Sequence, residues 1–169
     1  MFVLGIDPGL TRCGFGLVES RARARDRAVR AGLIATDVRA PVEERLGTLH
    51  HELAALIEHE GPDAVVVEKV FYQRNARTAI PVAQASGIAV GLAAAAGLVV
   101  RQFTAQEVKL AVTGYGAASK AQVQAMVARL LRLAATPEPP DVADALALAV
   151  TYLTVERRER RTAAAGVPA

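Results

Sequence analysis

The chain begins with Met1-Phe2-Val3-Leu4-Gly5-Ile6-Asp7-Pro8-Gly9, an apolar run that reads as a buried β-strand closed by a Pro-Gly turn. Asp7 occupies a position where a hydrophobic residue would be buried at a lower free energy, because burial of an unpaired carboxylate costs several kcal/mol. A second apolar strand, AVVVE at 64–68, ends in Glu68. Such carboxylates need a partner, and a divalent metal ion would be one.

A third acidic group, Asp141 and Asp144, lies at the start of an apolar helix. Residues three apart share a helix face, and parallel strands would bring Asp7 and Glu68 together at a sheet edge where ligands commonly bind. Converging carboxylates raise each other's pKa unless a cation is present. Because the set offers only oxygen ligands, we expect a hard ion, Mg²⁺ or Mn²⁺.

Each of these acids also has a plainer interpretation. Asp7 before Pro-Gly could belong to ordinary turn chemistry, and Glu68 could be the first exposed residue of a loop. Asp141 could complement the helix dipole, and Asp144 could be a solvated helix residue. The metal-site hypothesis rests on all four acids occurring in this order.

Hydrophobic periodicity predicts an α/β fold with a mixed five-stranded sheet flanked by helices. The predicted strands cover residues 2–7, 13–19, 31–37, 64–68 and 98–103; the predicted helices cover 41–60, 80–96, 104–112, 119–133 and 141–158. The first three strands would form an antiparallel meander. Residues 21–30 are expected to be an exposed, charged turn. We expect one domain over 1–158 and a disordered tail over 159–169.

Composition narrows the class of protein. With 169 residues, 52% hydrophobic and 22% charged, the chain is typical of a globular domain. Its charge is segregated: residues 41–63 hold six acids against one base, whereas 64–134 hold eight bases against two acids. The basic part is suited to phosphates, although the general abundance of arginine is an alternative explanation of its charge.

Two features bear on location. The uncharged stretch 79–100 could be a transmembrane helix, but Pro81, Gln84, Ser86 and its alanines favour a buried helix followed by a strand. Its small residues also suit close packing against another helix, including one from a second subunit. One cysteine, Cys13, and the lack of a signal sequence predict a cytoplasmic location, with Cys13 in the core.

The order strand–Asp, strand–Glu, then Asp-x-x-Asp at the head of the last helix resembles the ribonuclease-H-like nuclease superfamily. The local sequences resemble the RuvC family of Holliday-junction resolvases over about residues 2–155. The matching segments are GIDPG (5–9), EKVF (68–71), QASG (84–87), KLAVTG (109–114), KAQV (120–123) and DVADALA (141–147). The resemblance implies a metal-dependent, homodimeric endonuclease that cuts two opposed strands of a four-way DNA junction in recombination and repair.

The resemblance also implies roles for individual residues. Asp7, Glu68, Asp141 and Asp144 would be the catalytic acids that bind metal ions, although family members can carry His at the position of Asp141. Because Asp7 ends the rigid central strand, we expect it to bridge two such ions. Further residues would contact DNA or the scissile phosphate: Lys109, Lys120, Phe71, Arg74 and Arg77. Phe71 would stack on a junction base, Lys120 would neutralise the phosphate or assist the water, and a RuvAB-type branch-migration complex would be a partner.

Three other functions compete with this hypothesis. An actin-like ATPase or sugar kinase shares the Gly-Ile-Asp-x-Gly pattern but needs a duplicated domain that does not fit 169 residues. A ribonuclease-H-like enzyme acting on RNA would use the same acids. A non-enzymatic junction-binding scaffold is disfavoured because all four acids are present.

Overall fold

The computed structural model describes residues 1–21, 24–69 and 76–165, without the side chains of 76–78. Within these residues the strands are β1 (Phe2–Asp7), β2 (Arg12–Glu19), β3 (Arg27–Ala35), β4 (Ala64–Glu68) and β5 (Val99–Phe103). The helices are α1 (Val42–Glu60), α2 (Ala76–Ala95), α3 (Ala105–Thr113), α4 (Lys120–Leu131) and α5 (Pro140–Ala164). The predicted α/β organisation is confirmed.

The described strands form one mixed sheet in the order β3-β2-β1-β4-β5. β1, β2 and β3 form the expected antiparallel meander, while β1–β4 and β4–β5 are parallel. Parallel neighbours need helical crossovers, which α1 and α2 supply. The carboxyl ends of β1 and β4 therefore meet at one edge of the sheet.

Strand alternation divides the core between the two faces of the sheet. Val3 of β1 and Val66 of β4 pack with α3, α4 and α5, whereas Leu4 and Val65 pack with α1 and α2. Successive side chains of a strand point to opposite faces. Asp7 therefore continues the Val3 face and Glu68 the Val66 face, so that both carboxylates are directed towards the side of α5. Cys13 is buried in the core, as expected.

Glycines let α5 lie against the strand backbone. A Cβ on Gly5 would come 2.0 Å from the carbonyl oxygen of Ala145, and one on Gly14 would come 2.1 Å from that of Asp141. Neither distance is possible for a real side chain, so these two positions need glycine for the helix to approach. The first turns of α5 are thereby held beside the ends of β1 and β2.

Both shorter helices on this face begin with capping boxes. Thr104 and Glu107 cap α3, and Ser119 with Gln122 caps α4. These caps fix where each helix starts. Lys120 is therefore the first residue of α4, on the face of the sheet to which Asp7 and Glu68 point.

Two expectations from the sequence are wrong in part. Residues 27–30, predicted within a turn, belong to β3, because their backbone pairs with β2, with Arg27 beside Glu19 and Ala28 beside Val18. Arg27 and Arg30 keep their charged groups in water and pair with Glu19 and Glu60, which periodicity alone does not reveal. Arg21, Arg27 and Arg30 are thus engaged within the protein.

The last helix also exceeds its expected length. Residues 159–164, predicted as the start of a disordered tail, are helical. Ion pairs between Glu156 and Arg160 and between Arg101 and Glu159 stabilise this extension. Residues 166–169 lie outside the described part of the chain. Among the described residues, no helix combines the length and apolarity needed to cross a membrane.

Candidate active site

Two carboxylates converge where β1 and β4 end. The parallel register pairs Ile6 with Val67, so Asp7 and Glu68 are the next neighbours along the two strands. Their carboxyl groups lie close enough that the charge of Glu68 raises the pKa of Asp7. The adjacency expected from the sequence is confirmed, and we call these two residues the strand pair.

The acids of α5 lie beside the strand pair and are here called the helix pair. Asp141 and Asp144 occupy the first turns of α5, which the glycines of β1 and β2 admit against the sheet. Their side chains are 27% and 26% exposed. The charges of both raise the pKa of Asp7, which shows that the four acids influence one another.

A cavity of about 340 Å³ opens at this point. Its polar lining consists of Asp7, Glu68, Asp144, Lys109 and Lys120, and its apolar wall of Ala105, Val108, Val123, Ala147 and Leu148. Asp141 is not part of the lining. The two lysines face the acids across the cavity, so a phosphodiester entering there would meet both positive and negative groups.

Burial dominates the electrostatics of the strand pair. It raises the pKa of Asp7 to about 7, with further contributions from the charges of Glu68, Asp144 and Asp141. Burial also raises the pKa of Glu68. Contact between the two carboxyl groups raises the pKa of Asp7 and lowers that of Glu68. Below about pH 7 Asp7 therefore holds a proton, which relieves the repulsion within the strand pair.

The helix pair is neutralised differently. Lys120 Nζ lies 2.6 Å from Asp144 Oδ2, and the hydrogen bond to Asp144 raises the pKa of Lys120. Arg12 Nη2 lies 2.8 Å from Asp141 Oδ2. Each acid of the helix pair therefore has a basic partner from another element. A lysine with a raised pKa keeps its proton, which favours charge neutralisation by Lys120 over proton acceptance.

The donor set fits a hard divalent cation. Oxygen-only ligands suit Mg²⁺ and Mn²⁺, and the raised pKa of Asp7 reflects crowded negative charge that a cation would relieve. In the described part of the chain, however, no three acidic, His or Cys side chains are grouped to hold an ion as they stand. Asp141 and Asp144 instead each form an ion pair with a basic side chain.

The remaining predicted site residues divide into two groups. Lys109 and Lys120 line the cavity. Phe71 and Arg74 lie outside the described residues, and Arg77 lies in α2 without a described side chain. The contact of Arg12 with Asp141 was not predicted from the sequence, since no local spacing connects residues 129 apart.

Comparison with known proteins bears on the family. The family model described as "Crossover junction endodeoxyribonuclease RuvC" matches residues 3–152. A protein of that name from Leifsonia xyli subsp. xyli is 52% identical over 150 residues, which cover 89% of this chain and 72% of the relative.

Solved structures agree with this match. A structure of Thermus thermophilus RuvC superposes with a TM-score of 0.85 at 35% identity, covering 94% of this chain and 97% of that one. T. thermophilus RuvC in complex with a Holliday junction substrate gives a TM-score of 0.84 at 32% identity, with 94% and 96% covered. The likeness therefore extends over almost the whole of both chains.

Proposed function

This chain belongs to the RuvC family of crossover junction endodeoxyribonucleases, which depend on divalent metal ions, and from that premise we propose that its acidic cavity resolves Holliday junctions. The single observation that carries the proposal is the cavity itself, where Asp7, Glu68 and Asp144 face Lys109 and Lys120. Negatively charged DNA is accommodated beside the carboxylates only if cations balance them. The four-way junction as substrate follows from the structure of the Thermus relative with junction DNA.

Four acids would hold the metal ions in this proposal: Asp7, Glu68, Asp144 and Asp141. We propose Mg²⁺, with Mn²⁺ as a substitute, and two ions per site. When bound, such ions lower the pKa of a water that attacks the phosphodiester and stabilise the departing 3′ oxygen. Asp7 would be the central ligand of this set, because it lies at the end of the central strand beside all three other acids.

The protein's own residues prepare the site for this chemistry. Asp7 gives up its proton, and the strand pair presents carboxylate oxygens at the ends of buried strands. Lys120, which stays protonated, moves its charge from Asp144 to the scissile phosphate. Lys109 binds the neighbouring backbone. Phe71, with Arg74 and Arg77, is proposed from the sequence alone to hold the unpaired bases and backbone of the junction.

Paired, symmetric nicks require two sites, and we propose a two-fold homodimer formed through α2. Ala85 and Ala89 of this helix are buried, whereas a Cβ added to Gly87 or Gly91 would meet no atom of the described residues within 4 Å. Gly91→Trp should therefore shift the mass measured by light scattering from dimer to monomer. Gly47→Trp on α1, an equally open helical glycine, is the matched control and should leave the mass unchanged.

The decisive experiment compares three substrates: a synthetic four-way junction, a linear duplex of the same sequence and a structured RNA. Each is incubated with Mg²⁺, Mn²⁺ or EDTA. We expect symmetric nicks in opposed strands of the junction alone, and none with EDTA. Cleavage of RNA but not of the junction, or junction binding without cleavage in either metal, would overturn the proposal. Stimulation by a RuvAB-type complex, proposed from the family resemblance, is tested by adding that complex to the same assay.

A further inference from the structure

The contact between Arg12 and Asp141 joins the start of β2 to the first turn of α5. The guanidinium donates from Nη2 to Oδ2 of Asp141 over 2.8 Å. Gly14, two residues after Arg12, pairs with Asp7 across the sheet and lets the Asp141 backbone approach. Arg12 is therefore held beside the acidic site by β2, the strand whose Gly14 allows α5 to approach.

Stability alone gives little reason for this pair. The Arg12 side chain is 47% exposed, and ion pairs between exposed groups contribute little to the free energy of unfolding. Asp141 already benefits from its place in the first turn of α5, where a negative charge is favoured. The pair does change how readily Asp141 can bind a metal ion, because the Arg12 guanidinium already occupies one of its carboxylate oxygens.

We propose that Arg12 is a built-in counter-ion that competes with a divalent cation for Asp141. The inference rests on the proposed function, in that Asp141 serves the same cation site as Asp7, Glu68 and Asp144. While Asp141 holds no metal ion, Arg12 neutralises its charge beside the other acids. Uptake of a cation by Asp141 requires the guanidinium to leave, so Arg12 lowers the affinity of the protein for that cation.

Arg12 differs in this respect from Lys120, the other basic partner of the helix pair. Lys120 lines the cavity and can transfer its charge to a bound phosphate, whereas Arg12 is not among the lining residues. Removing Arg12 therefore changes cation binding without removing a group that faces the scissile bond. This makes Arg12 a positioning residue, whose effect is read from metal affinity in the absence of DNA.

The test measures Mn²⁺ binding to the full-length protein without DNA, by the electron paramagnetic resonance signal of unbound Mn²⁺. Arg12→Gln should tighten binding at one class of site about two- to fivefold, the range expected for loss of an exposed ion pair. Arg12→Lys, which restores the charge, should return the affinity towards that of the wild type. Circular dichroism establishes that each variant is folded.

Two controls separate the pair from the general effect of removing a positive charge. Arg27→Gln removes an arginine that pairs with Glu19 at the opposite end of the sheet, and it should leave Mn²⁺ affinity unchanged. In an Asp141→Asn background, Arg12→Gln should have no further effect. Unchanged or weaker binding in Arg12→Gln, or equal tightening in the Asp141→Asn background, would overturn the counter-ion role.

The proposed function can fail separately. If the wild type binds Mn²⁺ and cleaves junctions but Arg12→Gln binds no more tightly, only the counter-ion role is wrong. If the wild type binds no Mn²⁺ and cleaves no junction with any metal, the nuclease proposal and the counter-ion role are both wrong.

Discussion

The strand pair and the helix pair carry the same charge but balance it in opposite ways. Asp7 and Glu68 project from buried strands, and burial is the largest cause of the raised pKa of each. Below about pH 7 Asp7 holds a proton. Asp141 and Asp144 lie in the first turns of α5, and each forms an ion pair with a basic side chain. The environment of each acid, and not its residue type, therefore decides how it is neutralised.

This difference has a consequence for the proposed chemistry. The proton of Asp7 must be lost before the strand pair can bind a cation, whereas an ion pair of the helix pair only has to separate. Above about pH 7 the strand pair is therefore strained without a metal ion. The charge of the helix pair is balanced by Arg12 and Lys120 without one. Substitutions of the acids and of Lys120, together with one pH titration, distinguish the two pairs, beginning with the largest expected effect.

The first prediction concerns Asp7→Asn. Loss of the central carboxylate should reduce junction cleavage by about a thousandfold or more, because several kcal/mol of transition-state stabilisation are removed. Junction binding should be retained, since the lysines of the cavity remain. Cleavage is measured in single turnover and binding by gel shift in EDTA. Glu68→Gln should behave in the same way, and wild-type rates from either variant would contradict the assignment of the strand pair.

The second prediction concerns stability against pH in EDTA. The pKa of Asp7 rises from 3.8 to about 7 on folding, so the folded state holds a proton that the unfolded state releases between these values. Stability should therefore fall as pH rises from about 4 to about 7 and level off above, by about 2–4 kcal/mol for Asp7. Divalent cations should offset the loss at pH values above about 7.

The matched variant for this measurement is again Asp7→Asn, whose amide can donate to Glu68 as the protonated carboxyl does. Subtracting its unfolding free energy from that of the wild type at each pH isolates the contribution of Asp7. Parallel curves for the two proteins would show that the strand pair carries no such strain.

The third prediction concerns Lys120→Gln, which removes the basic partner of Asp144. Cleavage should fall about ten- to a hundredfold, the size expected when one charge near the transition state is lost. The free energy of unfolding should change by less than about 1 kcal/mol, because the pair is partly exposed. Lys120→Arg should recover part of the rate. A loss of stability without a loss of cleavage would contradict this prediction and would show that Lys120 stabilises the fold and does not assist the reaction.

The sequence was sufficient for those features that depend on local pattern. Strand 64–68, both helix caps and the adjacency of Asp7 and Glu68 follow from apolar runs, from Ser/Thr with Glu/Gln spacing and from parallel pairing. Alternation within strands even gives the face to which the two acids point. The strand pair could therefore be predicted before the fold was known.

Features that depend on distant contacts could not be predicted in this way. Arg12 meets Asp141 only because Gly14 allows α5 to approach β2, and no spacing in the sequence encodes that contact. The same limit applies to β3, whose arginines look like a turn until Glu19 and Glu60 are placed beside them. The exclusion of Asp141 from the cavity lining is likewise a result of three-dimensional packing.

The smallest effect is expected for Asp141→His. Asp141 does not line the cavity, and its charge is already offset by Arg12, so a histidine at this position should keep cleavage within about tenfold of the wild type. Asp144→His is the matched control. Because Asp144 lines the cavity and pairs with Lys120, its replacement should reduce cleavage to the level of Asp7→Asn.

Measuring cleavage in both Mg²⁺ and Mn²⁺ shows whether residue 141 contacts the cation in the comparison of Asp141→His with Asp144→His. An imidazole nitrogen suits Mn²⁺ better than Mg²⁺, so the ratio of cleavage rates in Mn²⁺ and Mg²⁺ should rise in Asp141→His if residue 141 contacts the cation. An unchanged ratio with an unchanged rate would place Asp141 outside the cation site and leave three acids to hold it. If Asp141→His instead proved as inactive as Asp144→His, the two acids of the helix pair would be equivalent, and a place in the cavity lining would not be what distinguishes replaceable ligands from fixed ones.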